Sequence, residues 1–268
     1  MFLKLEHLQR SGSFKLRGAL NAMLAGSPDD HVVTASGGNH GLAVATAAQL
    51  LGRRATVYVP EAAPAGKTRR IEAAGARLVR RGTTFAEAAE AAWVEAALPG
   101  HRFLHPYDDP AVVAGQGTVT AEIVADAPEV DAIAAAAGGG GLVAGAVLAA
   151  GGRHVTAVEP EHCRCLHDAL AAGRPVDSPV DSVAASATGA TRVGEIPFAV
   201  LTGSPAVSTV LVPDARILRA RDRLWDELRL AVEPAAALPF AAWLDGRVPG
   251  DHPCLVLCGA NTDWTPTP

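Results

Sequence analysis

The chain has 268 residues, 49% hydrophobic and 19% charged, with a formal net charge of −5. With no basic run it has no electrostatic footprint for nucleic acid, and its long alanine-rich stretches are broken by Gly, Pro or charge before they reach a membrane span. No basic region followed by an apolar one and a cleavage site opens it, and four cysteines (Cys163, Cys165, Cys254, Cys258) are too few for a disulfide framework, so a reducing cytoplasm is the expected setting.

Taken in order, hydrophobic runs alternate with helical periodicity almost without exception. Residues 1–5 read as a strand and 19–24 as the body of a helix, with Ser13 as its N-cap and Lys15 in its first turn. A strand at 32–35, a helix at 41–51, a strand at 55–59 ended by Pro60 and a helix at 67–74 ended by Gly75 come next. Then follow a short strand at 77–80, an Ala/Glu-rich helix at 85–97, a strand at 102–104 and a helix at 111–125. Strand 132–137 runs into four glycines and a helix at 142–150, and strand 154–158 precedes a helix at 165–172. Residues 178–194 are polar, small and irregular. A strand at 208–212, a long amphipathic helix at 215–230, a helix at 235–244 and a strand at 255–257 complete the pattern.

Such alternation predicts an α/β protein whose parallel sheets are covered by helices on both faces. The number of units suits two open, mostly parallel, twisted sheets rather than one. No linker is marked by composition and no repeat is present, so the division is expected to be topological. Residues 1–30 plus 106–268 would form a large domain, and 31–105 a small inserted one.

In open parallel sheets ligands sit beyond the carboxyl ends of strands, and three strand ends here carry unusual turns. In Ala35-Ser-Gly-Gly-Asn-His-Gly41, glycines bracket Ser36, Asn39 and His40 and expose N–H groups suited to an anion such as a carboxylate. An ordinary strand-to-helix turn uses the same residue types. Gly138-Gly-Gly-Gly-Leu142 lies between a buried strand and a helix start, where amides and the helix dipole hold phosphate. Gly139, Gly141 and Ala144 also fit the dinucleotide fingerprint, and Glu159 stands where an acidic ribose ligand would, so a nicotinamide-dependent oxidoreductase is an alternative on these residues alone. The third turn, 256–261, leads from a strand through Cys258.

Lys15 supplies the remaining chemistry. It follows Phe14 in Gln9-Arg-Ser-Gly-Ser-Phe-Lys-Leu-Arg-Gly-Ala19, at a helix start whose dipole disfavours a cation and so favours the neutral, nucleophilic amine. A lysine for a Schiff base, a cradle for a phosphate and a residue against a pyridine nitrogen are together what pyridoxal 5′-phosphate requires. A dinucleotide would leave the Lys15 segment and the Asn39 loop idle.

The chain resembles the serine/threonine dehydratase and serine racemase group of pyridoxal-phosphate enzymes, which share the tryptophan-synthase β-like fold (fold type II). The resemblance covers nearly the whole chain. It rests on residues 9–19, 36–41 and 138–142, and on His105-Pro-Tyr-Asp-Asp-Pro110, Ala114-Gly-Gln-Gly-Thr118, Glu233-Pro234 and Cys258-Gly-Ala-Asn261. It implies a cofactor held between a large and a small domain, with Lys15 as Schiff-base lysine and catalytic base and Phe14 against the cofactor ring. Asn39 would hydrogen-bond the phenolic oxygen, while Ser36, Gly37, Asn39 and His40 border the substrate carboxylate, partly through backbone N–H groups. Gly138, Gly139, Gly140, Gly141 and Leu142 would hold the phosphate. Cys258 would face the pyridine nitrogen, where the family has serine or cysteine. A thiol cannot keep that nitrogen protonated as a carboxylate can, so the ring is a weaker electron sink and elimination at Cβ is favoured over transamination. The implied activity is that of an ammonia-lyase. The Lys15 amine abstracts the α-proton, the β-hydroxyl leaves, and L-threonine and/or L-serine gives 2-oxobutanoate or pyruvate and ammonia. A homodimer is expected. Elimination from another hydroxy-amino acid such as hydroxyaspartate is an alternative.

Departures from the family pattern narrow this reading. Leu16 follows the lysine where threonine synthases and many β-replacement relatives have aspartate, which lowers those reactions in rank. Gly37 occupies the place of the serine that serves as second base in racemisation, so racemase activity is expected to be absent or slight. Glu159-Pro160 matches part of a divalent-cation site, but Cys165 replaces its aspartate. That argues against magnesium, leaves a monovalent cation open and assigns no metal ligand. Family members carry a few dozen residues before the strand at Phe2 that this chain lacks. An inactive, truncated cofactor-binding homologue is therefore a further alternative. No regulatory domain follows Asn261, so feedback control by an end-product amino acid is not expected.

Overall fold

The computed structural model describes residues 1–63 and 65–265. The first part of the chain gives β1 (Phe2–Lys4), α1 (Lys15–Ala25), β2 (His31–Ala35), α2 (Asn39–Leu51), β3 (Ala55–Val59), α3 (Ala65–Ala73), β4 (Arg77–Arg80), α4 (Phe85–Ala96), β5 (His101–Phe103) and α5 (Pro110–Asp126). The remainder gives β6 (Ala132–Ala136), α6 (Gly141–Ala149), β7 (His154–Pro160), α7 (Cys165–Ala172), α8 (Ala185–Thr188), α9 (Glu195–Thr202), β8 (Val207–Val212), α10 (Asp214–Leu228), α11 (Pro234–Leu244) and β9 (Pro253–Val256).

The strands form two parallel sheets, as the alternating pattern requires: a five-stranded one in the order β1-β9-β6-β7-β8 and a four-stranded one in the order β4-β3-β2-β5. Central strands of such sheets are covered on both faces and so read as unbroken apolar runs. Accordingly β6 (Ala-Ile-Ala-Ala-Ala) and β3 (Ala-Thr-Val-Tyr-Val) are buried at every position. Helix α11 is apolar all round, and its residues 235–242 are all buried.

Two compact units result, Met1–Leu8 with Gln116–Pro268, and Gln9–Gly115. The expected boundaries at 30/31 and 105/106 do not coincide with this division. Leu16, Ala19, Ala22 and Met23 of α1 share one hydrophobic cluster with Val44 of α2, Val57 of β3 and Val112 of α5. Burying those side chains ties α1 and the start of α5 to the four-stranded sheet.

Local departures from the sequence pattern have physical causes. Helix α1 begins at Lys15 with Phe14 as its N-cap and no capping side chain, so Ser13 lies one residue too early to cap it. Helix α2 begins at Asn39, which brings Asn39 and His40 into its first turn. Helix α9 was hidden by Pro197, a residue tolerated in a first turn because its missing N–H would have no partner there. β9 starts two residues early, at Pro253, the one strand position where an inner strand accepts proline.

Candidate active site

Lys15 opens α1, and its Nζ donates a 2.7 Å hydrogen bond to the carbonyl of Pro106 and lies 5.2 Å from the centre of the Phe14 ring. The turn that presents Pro106 is built by its own polar groups. His105 Nδ1 accepts from the N–H of Asp108 at 2.8 Å, and Asp109 Oδ1 caps α5 by accepting from Ala111 N–H at 2.8 Å and Val112 N–H at 3.1 Å. The position of α1 is set from below. At Gly115 of α5 a Cβ would sit 2.7 Å from the Arg17 carbonyl oxygen and 2.7 Å from Gly18 Cα, so only glycine lets the two helices approach this closely.

The loop after β2 closes on itself. A Cβ on Gly41 would lie 1.9 Å from the Ser36 carbonyl oxygen, and Ser36 Oγ accepts from Gly38 N–H at 3.2 Å. Helix α2 has Gly38 as N-cap with no capping side chain, so no side chain of its own covers the positive end of its dipole. His40 is buried, and its Nε2–H donates to the Leu104 carbonyl at 3.1 Å. Burial, and after it the nearby Lys15 charge, pushes its pKa down to about 3. The ring is therefore neutral, and its Nδ1 is a buried lone pair without a hydrogen-bond partner. A neutral imidazole offers an anion no charge. Burial also lowers the pKa of His105. Ser13 Oγ, two residues before Lys15, is a second buried polar atom with no partner.

The glycine loop belongs to the other unit. Gly140, the N-cap of α6, has φ +93°, and a Cβ there would meet Pro197 Cβ at 2.8 Å. A Cβ on Gly138 would meet Thr188 Cα at 3.0 Å. Gly139 accepts from the Gly194 N–H at 3.1 Å, and Cys165 Sγ donates to the Gly138 carbonyl at 3.3 Å. The irregular stretch 178–194 thus buttresses the loop, a role that its composition alone did not signal. No side chain caps α6, which leaves its first-turn amides to an anion. Leu142 and Cys258 are buried in the same unit, Cys258 just after β9. Glu159 is fully buried, and its two carboxylate oxygens accept the Leu166 and His167 N–H groups, each at 2.9 Å, at the start of α7. It serves as a helix cap, which removes the acidic ribose ligand on which the dinucleotide alternative depended.

A sequence model described as pyridoxal-phosphate dependent enzyme matches residues 1–259. The chain belongs to that family. It is 38% identical to an L-threonine ammonia-lyase of Geobacter sulfurreducens over 98% of its own length and 67% of that protein. Its fold is similar to that of a threonine deaminase from T.th., with a TM-score of 0.91 and 38% identity over 98% of this chain and 88% of that one. It is also similar to maize serine racemase, with a TM-score of 0.90 and 29% identity over 97% and 83% of the two chains.

The residues present suit the family's cofactor. At Gly138 and Gly140 the closeness of Thr188 and Pro197 leaves room only for glycine, so the loop before α6 carries bare backbone as a phosphate cradle would, and Lys15 offers an amine oriented by the Pro106 carbonyl. Lys15, Phe14 and 36–40 lie in the unit Gln9–Gly115, and 138–142 and Cys258 in the other. The role of Pro106 was missed by sequence reasoning, although the His105–Pro110 motif that carries it was visible.

Proposed function

We propose that this protein is an ammonia-lyase acting on L-threonine and/or L-serine, in which Lys15 would hold the aldehyde of pyridoxal phosphate and Gly138, Gly139, Gly140, Gly141 and Leu142 would hold its phosphate. The observation that carries the reading is Lys15 itself. It is a lysine at a helix start, oriented by the Pro106 carbonyl at 2.7 Å, in a chain that matches an L-threonine ammonia-lyase along 98% of its length. When bound, the cofactor supplies an electron sink for negative charge developing at the substrate Cα.

The chain's own groups do the rest. The Lys15 amine takes the α-proton, and Pro106 fixes the direction in which Nζ points. The substrate carboxylate sits on the first amides of α2 and the Ser36 hydroxyl, whose oxygen is already fixed by Gly38 N–H. Asn39, in the same turn, would hold the cofactor's phenolic oxygen, Phe14 would pack on its ring, and Cys258 would stand toward the pyridine nitrogen, which a thiol cannot keep protonated. Gly37 has no side chain to serve as a second base, which favours elimination over racemisation. Four buried cysteines outside any disulfide suit a reducing cytoplasm, and the family resemblance supports a homodimer. Among the described residues no helix is long and apolar enough to cross a membrane.

Purified protein incubated with L-threonine or L-serine is expected to release 2-oxobutanoate or pyruvate with one equivalent of ammonia, and no D-serine. Cofactor binding without 2-oxo acid from either substrate would reject the activity. Appreciable D-serine would reject the role given to Gly37.

A further inference from the structure

A second cluster of functional side chains lies on the same four-stranded sheet as the Ser36–Gly41 loop, at the opposite ends of the strands. His31 opens β2 and His101 opens β5, and the parallel register sets them directly side by side. Their rings stack with centroids 4.6 Å apart and an interplanar angle of 17°. Glu95, in the last turn of α4, reaches both: its Oε1 lies 3.9 Å from His31 Nε2 and 3.9 Å from His101 Nε2. The three side chains are largely buried, with 13%, 20% and 10% of the surface of His31, His101 and Glu95 exposed. One donor atom from each lies within 4.8 Å of the others, the one such group of three among the described residues.

We infer that His31, Glu95 and His101 form a zinc site distinct from the cofactor site. Two imidazoles and one carboxylate are a donor set that zinc accepts, with a fourth position left for water or an added ligand. Tetrahedral zinc with bonds of about 2.05 Å needs donors about 3.3 Å apart, so each His–Glu pair closes by roughly half an ångström and the stacked rings splay. Tyr58 Oη donates to Glu95 Oε2 at 2.5 Å and so orients the carboxylate through its other oxygen. Thr56 Oγ1 donates to Glu95 Oε1 at 3.1 Å and lies 2.7 Å from His31 Nε2, and zinc displaces these two contacts as it takes those atoms. Arg77 Nη1 lies 3.8 Å from Glu95 Oε1, but its side chain is 65% exposed and can turn to solvent. The three donors line a cavity of about 1180 Å³, which gives the ion a route in and room for the fourth ligand.

The test is equilibrium dialysis of the chelator-treated holoenzyme against zinc chloride, with metal analysis and zinc-edge X-ray absorption. One zinc per chain is expected, with nitrogen and oxygen neighbours and no sulfur. His101→Ala and Glu95→Gln should each lose it while keeping the holoenzyme's visible absorbance. Zinc should also raise the Tm of the wild type by a few degrees and leave that of His101→Ala unchanged. His101→Cys should restore binding with one sulfur neighbour, which guards against a variant that merely misfolds. No bound zinc in the wild type, full binding by His101→Ala, or a sulfur shell in the wild type (which would point to Cys163 and Cys165) would each overturn the assignment.

Discussion

At the scale of single residues, two glycines four positions apart in one loop have opposite tolerances. A Cβ at Gly41 would overlap the Ser36 carbonyl oxygen at 1.9 Å, whereas one at Gly37 would meet only Val59 Cγ1, at an ordinary 3.5 Å. Gly41→Ala is expected to cost about 2–3 kcal/mol, read as a clear fall in Tm. Gly37→Ser should stay within about 0.5 kcal/mol of the wild type and gain D-serine formation. Equal Tm losses for the two would contradict this account of the loop. His40 makes a prediction about pH. Its pKa is near 6.5 unfolded and about 3 folded, so the unfolded chain binds the extra proton first. The stability conferred by the buried neutral ring is complete above pH 6.5 and is lost as pH falls from there toward 3. Between pH 6.5 and 5 the loss is ~2 kcal/mol. His7 and His105, both lowered chiefly by burial, add slope of the same sign. Thermal melts from pH 7 to 5 should fall more steeply for the wild type than for His40→Gln; identical slopes would contradict it.

At the scale of elements, the placement of α1 decides where Lys15 points, and α5 sets that placement. Gly115→Ala would push against Arg17 and Gly18 at 2.7 Å, moving the helix that begins with Lys15. A displacement near 1 Å is enough to cost tenfold or more in kcat with the cofactor still bound, and steady-state kinetics with unchanged cofactor absorbance would check it. An unaltered kcat would show that α5 does not hold α1. Elements with strong periodicity or turn chemistry were legible from sequence: the buried strands β3 and β6, the glycine loop into α6, and the Lys15 segment. Other features were set by tertiary structure. Ser13 read as a cap because its residue type suits one, yet its Oγ is buried without a partner and Phe14 takes the position. Helix α9 was masked by Pro197, and the stretch 178–194 gained its meaning only from Thr188 and Gly194 pressing on the glycine loop.

At the scale of the whole molecule, alternating strands and helices were enough to foresee two parallel sheets, because each parallel pair needs a crossover and each sheet face needs cover. The unit boundaries were not foreseeable. They depend on which core receives Leu16, Ala19 and Met23 of α1, and no change of composition marks that choice. The zinc-site residues escaped for the same reason: His31, Glu95 and His101 meet only through the β2–β5 register and the end of α4. Lys15, by contrast, is proposed from its sequence neighbours and from the Pro106 contact, and the proposed function rests on it. The chain has three lysines, Lys4, Lys15 and Lys67, and Lys4 is paired with Glu122. Borohydride reduction of the purified protein followed by peptide mass analysis fixes the cofactor to whichever lysine holds it. The account predicts a pyridoxyl group on the Lys15 peptide alone, absent from Lys15→Ala together with the visible absorbance. A label on Lys4 or Lys67, or none on any lysine, would contradict it.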